Sequence, residues 1–294
     1  MAQTETNLLH LAEHLHSIGK EKAALDALAR ASSDEIESAK YWAIRVWVLA
    51  GLRRYEASHE VAQRGLERNP DDIELLDAFA VAELNLGFPG RALKALDKAL
   101  RLSPANPILL AHRALALAHR RDFEEAEVAI GEALRIAPEY WPVLQTRAQI
   151  AVLANDRRAN RYIDDLLRVD PENRIGHVLR GRVAAKRKHF VSAARAWEEA
   201  ARLHPGDDTV AAAAREARVR AHPLLAPARL LLWRLGRWPF YLLCYVIAVV
   251  VASTGHLTFW VALAAWSFLV LLHLLTELGP EVIRRRQNRK YGDF

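Results

Sequence analysis

The sequence predicts an all-α protein: a solenoid of about six helical hairpins closed by a capping helix, followed by a two-helix transmembrane hairpin. Three observations predict it. Ala- and Leu-rich helical runs stop at Pro70, Pro104, Pro138, Pro171 and Pro205, at intervals of 34, 34, 33 and 34 residues, and a period of this length marks stacked helix pairs. Small residues recur at fixed positions within that period. Finally, Trp238 to Thr276 is a run of 39 residues without Asp, Glu, Lys or Arg.

Composition permits this reading. At 294 residues, 52% apolar and 26% charged, the chain can bury a sizeable core. A single cysteine, Cys244, excludes a disulfide framework. Arginine outnumbers lysine 33 to 8 and alanine is abundant, the usage of a GC-rich, bacterial coding sequence. The start, MAQTETNLLHLAEHLHSIGKEK, has neither a basic opening nor an apolar run, so it does not read as a secretory signal and the N-terminal portion is expected in the cytosol. Residues 1–221 hold 33 basic against 32 acidic side chains, whereas residues 222–294 hold 8 against 3. The basic excess therefore belongs to the C-terminal segment. A nucleic-acid reader would concentrate it on the folded domain, so no nucleic-acid partner is expected.

Units counted back from the prolines begin at Glu5, Ala39, Ile73, Pro107, Trp141 and Arg174, with a one-residue deletion near Asn155. Position eight then carries Ala12, Val46, Ala80, Ala114, Ala148 and Gly181; position twenty carries Ala24, Ser58, Ala92, Ala126, Ala159 and Ala193; position twenty-seven carries Ala31, Gly65, Ala99, Ala133, Leu166 and Ala200. Small residues at three fixed phases let two helices approach closely. Position twenty-four is mostly larger, with Leu28, Ala62, Leu96, Ile130, Ile163 and Trp197. Each proline ends one unit, and Asp71, Asp72 and Ser103 are candidates to cap the helices that follow. After Pro205, a capping helix is expected from about Asp208 to Ala221.

Over residues 5–207 these positions resemble the tetratricopeptide repeat, whose unit is two antiparallel helices ended by proline. The first unit has Ile36 in place of the proline yet matches through Leu8, Leu11, Ala12, Leu15, Gly19, Ala24, Leu28 and Ala31. Departures are Arg45, Arg113, Arg147 and Arg180 at position seven and Glu83 at position eleven, both usually apolar; arginine stems lying along the core with their heads in water are the expected account. The resemblance implies a right-handed superhelix that binds protein. It also implies a concave wall built from the first helix of each unit, here including Trp47, Asp77, Val81, Leu84, Leu115, His119, Gln149, Arg182 and Lys186. That wall has an apolar middle, acidic residues toward the N-terminal end and basic ones toward the C-terminal end. The expected partner is an amphipathic helix or extended peptide with an apolar centre. The Lys and Asn pattern by which some relatives clamp a terminal carboxylate is absent, since Leu9, Glu13, Ala43, Trp47 and Asp77 stand there.

The C-terminal segment is a different material. One membrane-spanning helix needs about 20 residues, so 39 uncharged residues, broken by Ser253 to His256, suit two short spans over residues 238–276. Arg229, Arg234 and Arg237 precede the pair, Arg284, Arg285, Arg286, Arg289 and Lys290 follow it, and the connection is uncharged. By the positive-inside rule both ends face the cytoplasm, with residues 277–294 a basic tail. In residues 222–237 the arginines oppose Leu231, Leu232 and Leu235, and Trp233 and Trp238 suit the membrane interface, as for a helix lying among lipid headgroups. A cysteine at Gly255 should then react with an impermeant thiol reagent from outside, and ones at Ser58 and Asn288 should not.

Catalytic motifs are missing: there is no Gly-rich phosphate loop, CxxC, HExxH or nucleophile elbow. His10 and His14 lie one turn apart near His16 but lack a clear third ligand, and His273 and Cys244 fall inside the spans. No enzyme activity, metal or cofactor is expected. The sequence reads as a membrane-anchored adaptor at a bacterial inner membrane, or alternatively as a subunit or assembly factor of an envelope-biogenesis or secretion complex.

Overall fold

The structure is a computed structural model that describes residues 8–203 and 205–222. The interfacial segment, transmembrane hairpin and basic tail expected beyond residue 222, with Arg229, Trp233, Arg234, Arg237, Trp238, Arg284, Arg285 and Arg286, lie outside the described residues. Among the described residues no helix is long and apolar enough to cross a membrane.

Fourteen helices and no strand make up the described residues: α1 (Leu8–Ser17), α2 (Glu21–Leu28), α3 (Ser33–Glu37), α4 (Ala39–Gly51), α5 (Tyr55–Arg68), α6 (Ile73–Asn85), α7 (Pro89–Leu102), α8 (Pro107–His119), α9 (Phe123–Ile136), α10 (Trp141–Leu153), α11 (Ala159–Val169), α12 (Arg174–Lys186), α13 (Phe190–Leu203) and α14 (Asp208–Ala221). The described residues form two compact units, one of Leu8–Val183 with Arg202–Asp207, the other of Ala184–Ala201 with Asp208–His222. In the first unit α1·α2, α4·α5, α6·α7, α8·α9 and α10·α11 pack as hairpins, and each first helix from α4 to α8 also packs on the first helix of the next hairpin. In the second, Arg218 on α14 donates to Glu198 on α13 at 2.7 Å.

The small residues act as their spacing implies. Ala80, Ala92, Ala99, Ala114, Ala126, Ala133 and Ala148 are fully buried, and around them Leu96, Leu109, Leu117 and Ile130 fill the core. At Gly65 a Cβ would stand 2.9 Å from the Trp42 Cβ, so even alanine is too large at this crossing.

The hairpin turns repeat a single device. Gly19, Arg53, Gly87, Arg121, Asn155 and Lys188 all have positive φ, and each ends the first helix of its hairpin. The next residue's N–H then reaches back six residues' span to a helix carbonyl: Lys20 to Leu15, Arg54 to Leu49, Phe88 to Glu83, Asp122 to Leu117, Asp156 to Ala151 and His189 to Ala184. This is the Schellman closure, which favours glycine. Where arginine replaces it, a guanidinium lies 6.0 Å from the Tyr55 ring centroid (Arg53) or 5.8 Å from that of Phe123 (Arg121), a partial offset for left-handed strain.

The prolines stand two residues beyond the helices they follow and three before the next, inside the connecting turns, ending each unit as the sequence predicts. Three details differ from the sequence reading. Asp72 does cap α6, accepting from the Leu75 N–H at 2.8 Å, but Asp71 instead meets Lys98 Nζ at 2.9 Å and α8 is capped by Asn106, which accepts from Ile108, not by Ser103. Where the first unit lacks its proline, a separate short helix, α3, forms on a Ser32–Glu35 capping box. The arginines at position seven are paired, not simply hydrated. Arg113 reaches Asp97 at 2.9 Å and Arg180 reaches Asp164, both sixteen residues back, while Arg147 covers the Tyr162 ring at 3.8 Å.

Candidate partner-binding groove

The first helices of successive hairpins lie side by side, so residues one repeat apart in sequence become neighbours on one wall. That wall encloses a groove of about 1180 Å³ wholly within the first unit, running from Trp47 on α4 across α6, α8 and α10 to Arg182 on α12. Trp47, Asp77, Val81, Leu84, Leu115, His119, Gln149 and Arg182 all line it. Lys186 does not: it belongs to the second unit, beyond the last groove residue of α12.

The middle of the groove is apolar because α6 and α8 present Val81, Leu84, Ile108 and Leu115 to it. These side chains are half-buried or buried, seated on the core while keeping one face open. One end carries Asp72, Glu74 and Asp77, the other Arg174 and Arg182.

At the acidic end Asp77 is buried, and His112 Nδ1 donates to its Oδ1 at 2.6 Å. The His112 ring tilts at 41° to Trp47, centroids 6.4 Å apart. Burial pulls the imidazole pKa down, but the charge of Asp77 and its hydrogen bond outweigh burial and hold it above the ordinary histidine value. Glu74 is also held above its ordinary value, by its crowded surroundings first and by Asp72, Glu13 and Asp77 next, with Lys40 opposing. His119, farther along, is held low by burial.

Sequence reasoning passed over His112, Glu74, Ile108 and Trp141. Glu74, Ile108 and Pro142 share the second position of their units, which the family resemblance assigns to the groove, so periodicity could have found them. His112 sits at position six, and its only signal is a spacing of 35 residues from Asp77, one repeat plus one.

The raised imidazole pKa gives a prediction with a definite sign. The stabilisation from this pair is fully present below the unfolded histidine value of about 6.5 and is lost as pH rises through the higher folded value. His112→Gln is expected to lower stability by about 1.5–3 kcal/mol at pH 6, as for a hydrogen bond to a charged group. The gap from wild type should narrow by pH 9. Urea unfolding at both values measures it, and a gap that widens with pH contradicts the pairing.

Two histidines of the N-terminal cluster make local pairs. His16 Nδ1 meets Glu21 at 2.8 Å and His10 lies 3.8 Å from Glu13. Among the described residues no group of three His, Cys, Asp or Glu is placed to hold a metal ion.

A family model described as a tetratricopeptide repeat matches residues 78–140 and 155–208. Solved structures share the fold. A tetratricopeptide repeat protein from Parabacteroides merdae ATCC 43184 is 19% identical with a TM-score of 0.59, over 71% of this chain and 82% of that one. A thermophilic TPR protein from Thermus thermophilus is 20% identical with a TM-score of 0.54, over 61% and 98%. PilW, described as a widely conserved type IV pilus biogenesis factor, is 17% identical with a TM-score of 0.50, over 72% and 99%. None of the curated proteins searched matches the chain.

Proposed function

The chain is a tetratricopeptide repeat protein, and from that premise we propose that it is a membrane-anchored scaffold whose groove captures a segment of another protein at the cytoplasmic face of a bacterial inner membrane. The observation that carries the binding half is the apolar-floored groove of about 1180 Å³ with charged ends. A continuous open strip of Val81, Leu84 and Leu115 gains free energy when a partner's apolar side chains cover it, and the polar ends fix register. Tetratricopeptide repeats serve in general as binding scaffolds, which supports reading the groove as a binder. Support for the anchor is the 39-residue uncharged run with basic residues on both flanks. Basic side chains beside it would add attraction to anionic lipid, about 1 kcal/mol each when well placed.

The test uses the full chain, tagged and purified in mild detergent with its bound proteins identified. Trp47→Ala with Leu115→Ala removes two half-buried groove side chains whose loss should leave the fully buried core intact. The co-purified protein should fall more than tenfold while the circular dichroism stays unchanged. Undiminished capture would move the site off the groove. For the anchor, thiol labelling in a Cys244→Ser background should modify Gly255→Cys from outside and leave Gln63→Cys and Asn288→Cys untouched. Ser58 is unsuitable as a reporter, because it is fully buried and donates to the Val46 carbonyl at 2.9 Å. Outside labelling of Gln63→Cys would reverse the topology. Exchanging the hairpin for an unrelated two-span anchor separates an adaptor, which should still work, from a subunit of a membrane assembly, which should not.

A further inference from the structure

Each end of the groove holds a charged side chain without an ion pair among the described residues. Around the acidic end, Lys40 is committed to Glu13 at 2.8 Å, Lys98 to Asp71 at 2.9 Å and His112 to Asp77 at 2.6 Å. Glu74 is exposed and has no ion pair among the described residues. At the other end Arg174 is tied to Asp207 at 2.9 Å, while Arg182 is exposed and has no ion pair there either. Between the two charges the lining is Val81, Leu84 and Leu115 on α6 and α8, followed by Gln149 and Val152 on α10. The Glu74 carboxyl is held above its ordinary value by desolvation first and then by the charges of Asp72, Glu13 and Asp77, with Lys40 opposing.

From this arrangement we infer the chemistry of the occupant: a single extended segment of a partner protein, with Lys or Arg at the end over Glu74, Asp or Glu at the end over Arg182, and aliphatic residues between. The inference rests on the groove being the binding site. Glu74 on α6 and Arg182 on α12 are three first-helix steps apart, and at 8–10 Å per helix neighbour that is roughly 24–30 Å. An extended chain at about 3.3 Å per residue covers this distance in about eight or nine residues. A segment charged alike at both ends would meet repulsion at one of them, so the polarity selects against uniformly basic or acidic sequences.

Four fluorescent synthetic peptides test it against the full chain in mild non-ionic detergent. Each has a Leu- and Ile-rich centre with charges about eight residues apart: Lys first and Asp last, Asp first and Lys last, Lys at both ends, and Asp at both ends. The two mixed orders are included because charge alone leaves the direction of the bound chain to be read out. One mixed peptide is expected to bind at least about fivefold tighter than both uniform ones at low salt. Arg182→Glu should transfer the preference to the Lys–Lys peptide and Glu74→Lys to the Asp–Asp peptide, with the circular dichroism unchanged. Equal binding of all four, lost in the Trp47→Ala with Leu115→Ala protein, would overturn the polarity and leave the groove reading standing. Failure of every peptide to bind would overturn the extended, bipolar occupant, and the groove itself would still be judged by partner capture.

Discussion

Leu96→Ala is expected to destabilise the protein by about 3–5 kcal/mol, the upper part of the range for emptying a well-packed leucine site. Leu96 is fully buried between α7 and its neighbours, in the same cluster as Ala80, Leu109, Leu117 and Ile130. The surrounding small residues make the site hard to refill. Fully buried alanines have no side-chain length with which to collapse into the vacated space. The control is Val128→Ala on α9, where the side chain is 64% exposed and the change should stay within about 0.5 kcal/mol. Because repeats touch only their neighbours, a loss in the central hairpin should also uncouple the two sides of the array. Urea unfolding followed by helical signal measures both effects. A shift below about 1 kcal/mol for Leu96→Ala would contradict the packing described.

The second large effect runs the other way. Glu83→Leu is expected to stabilise the protein by about 1–3 kcal/mol at pH 8, in line with replacing buried ionic groups by apolar ones. Glu83 has no exposed surface, and although Arg91 and His59 stand 2.7 and 3.0 Å from it, neither carboxylate oxygen receives a hydrogen bond of good geometry. Burial outweighs the attraction of Arg91 and then His59, so the carboxyl is held above its ordinary value of 4.5. The sign follows. A raised carboxyl contributes stability that is fully present below about pH 4.5 and is lost as pH rises through its folded value, when the buried charge must form. Removing the carboxyl should therefore gain more at pH 8 than at pH 4.5. Leucine leaves no stranded cation at Arg91, which is half exposed and can turn to water. Arg91→Ala is the complementary change and should destabilise, since it removes the strongest compensation the carboxylate has. A destabilised Glu83→Leu protein would show that the ion pairs outweigh desolvation at this site.

Glu83 shows where reading by period stops. Its position marked it as a departure from the repeat, but the partners that decide its energetics sit on two other helices, 24 residues before and 8 residues after it. The groove divides in the same way. Val81, Leu84 and Leu115 follow from their place in the unit, whereas the His112–Asp77 pair depends on how far one first helix is rotated against the next.

What the sequence determined by itself was the repeat: the starts of α4, α6, α8, α10 and α12 at Ala39, Ile73, Pro107, Trp141 and Arg174, and the capping helix α14. These are local facts, set by where proline ends a helix and where only a small side chain lets two helices touch. Tertiary structure decided which of several eligible residues does each polar task. Asp, Ser and Asn are chemically alike as caps, so Asn106 over Ser103 was settled by where the turn delivers the oxygen. The missing proline at Ile36 was resolved as α3 because Ser32 and Glu35 could close a capping box there. Charges found partners on the same terms, Arg113 with Asp97 and His112 with Asp77, and left Glu74 and Arg182 facing an open groove. Such pairings depend on distances of a few ångströms across a helix interface, and a linear period carries no information at that scale.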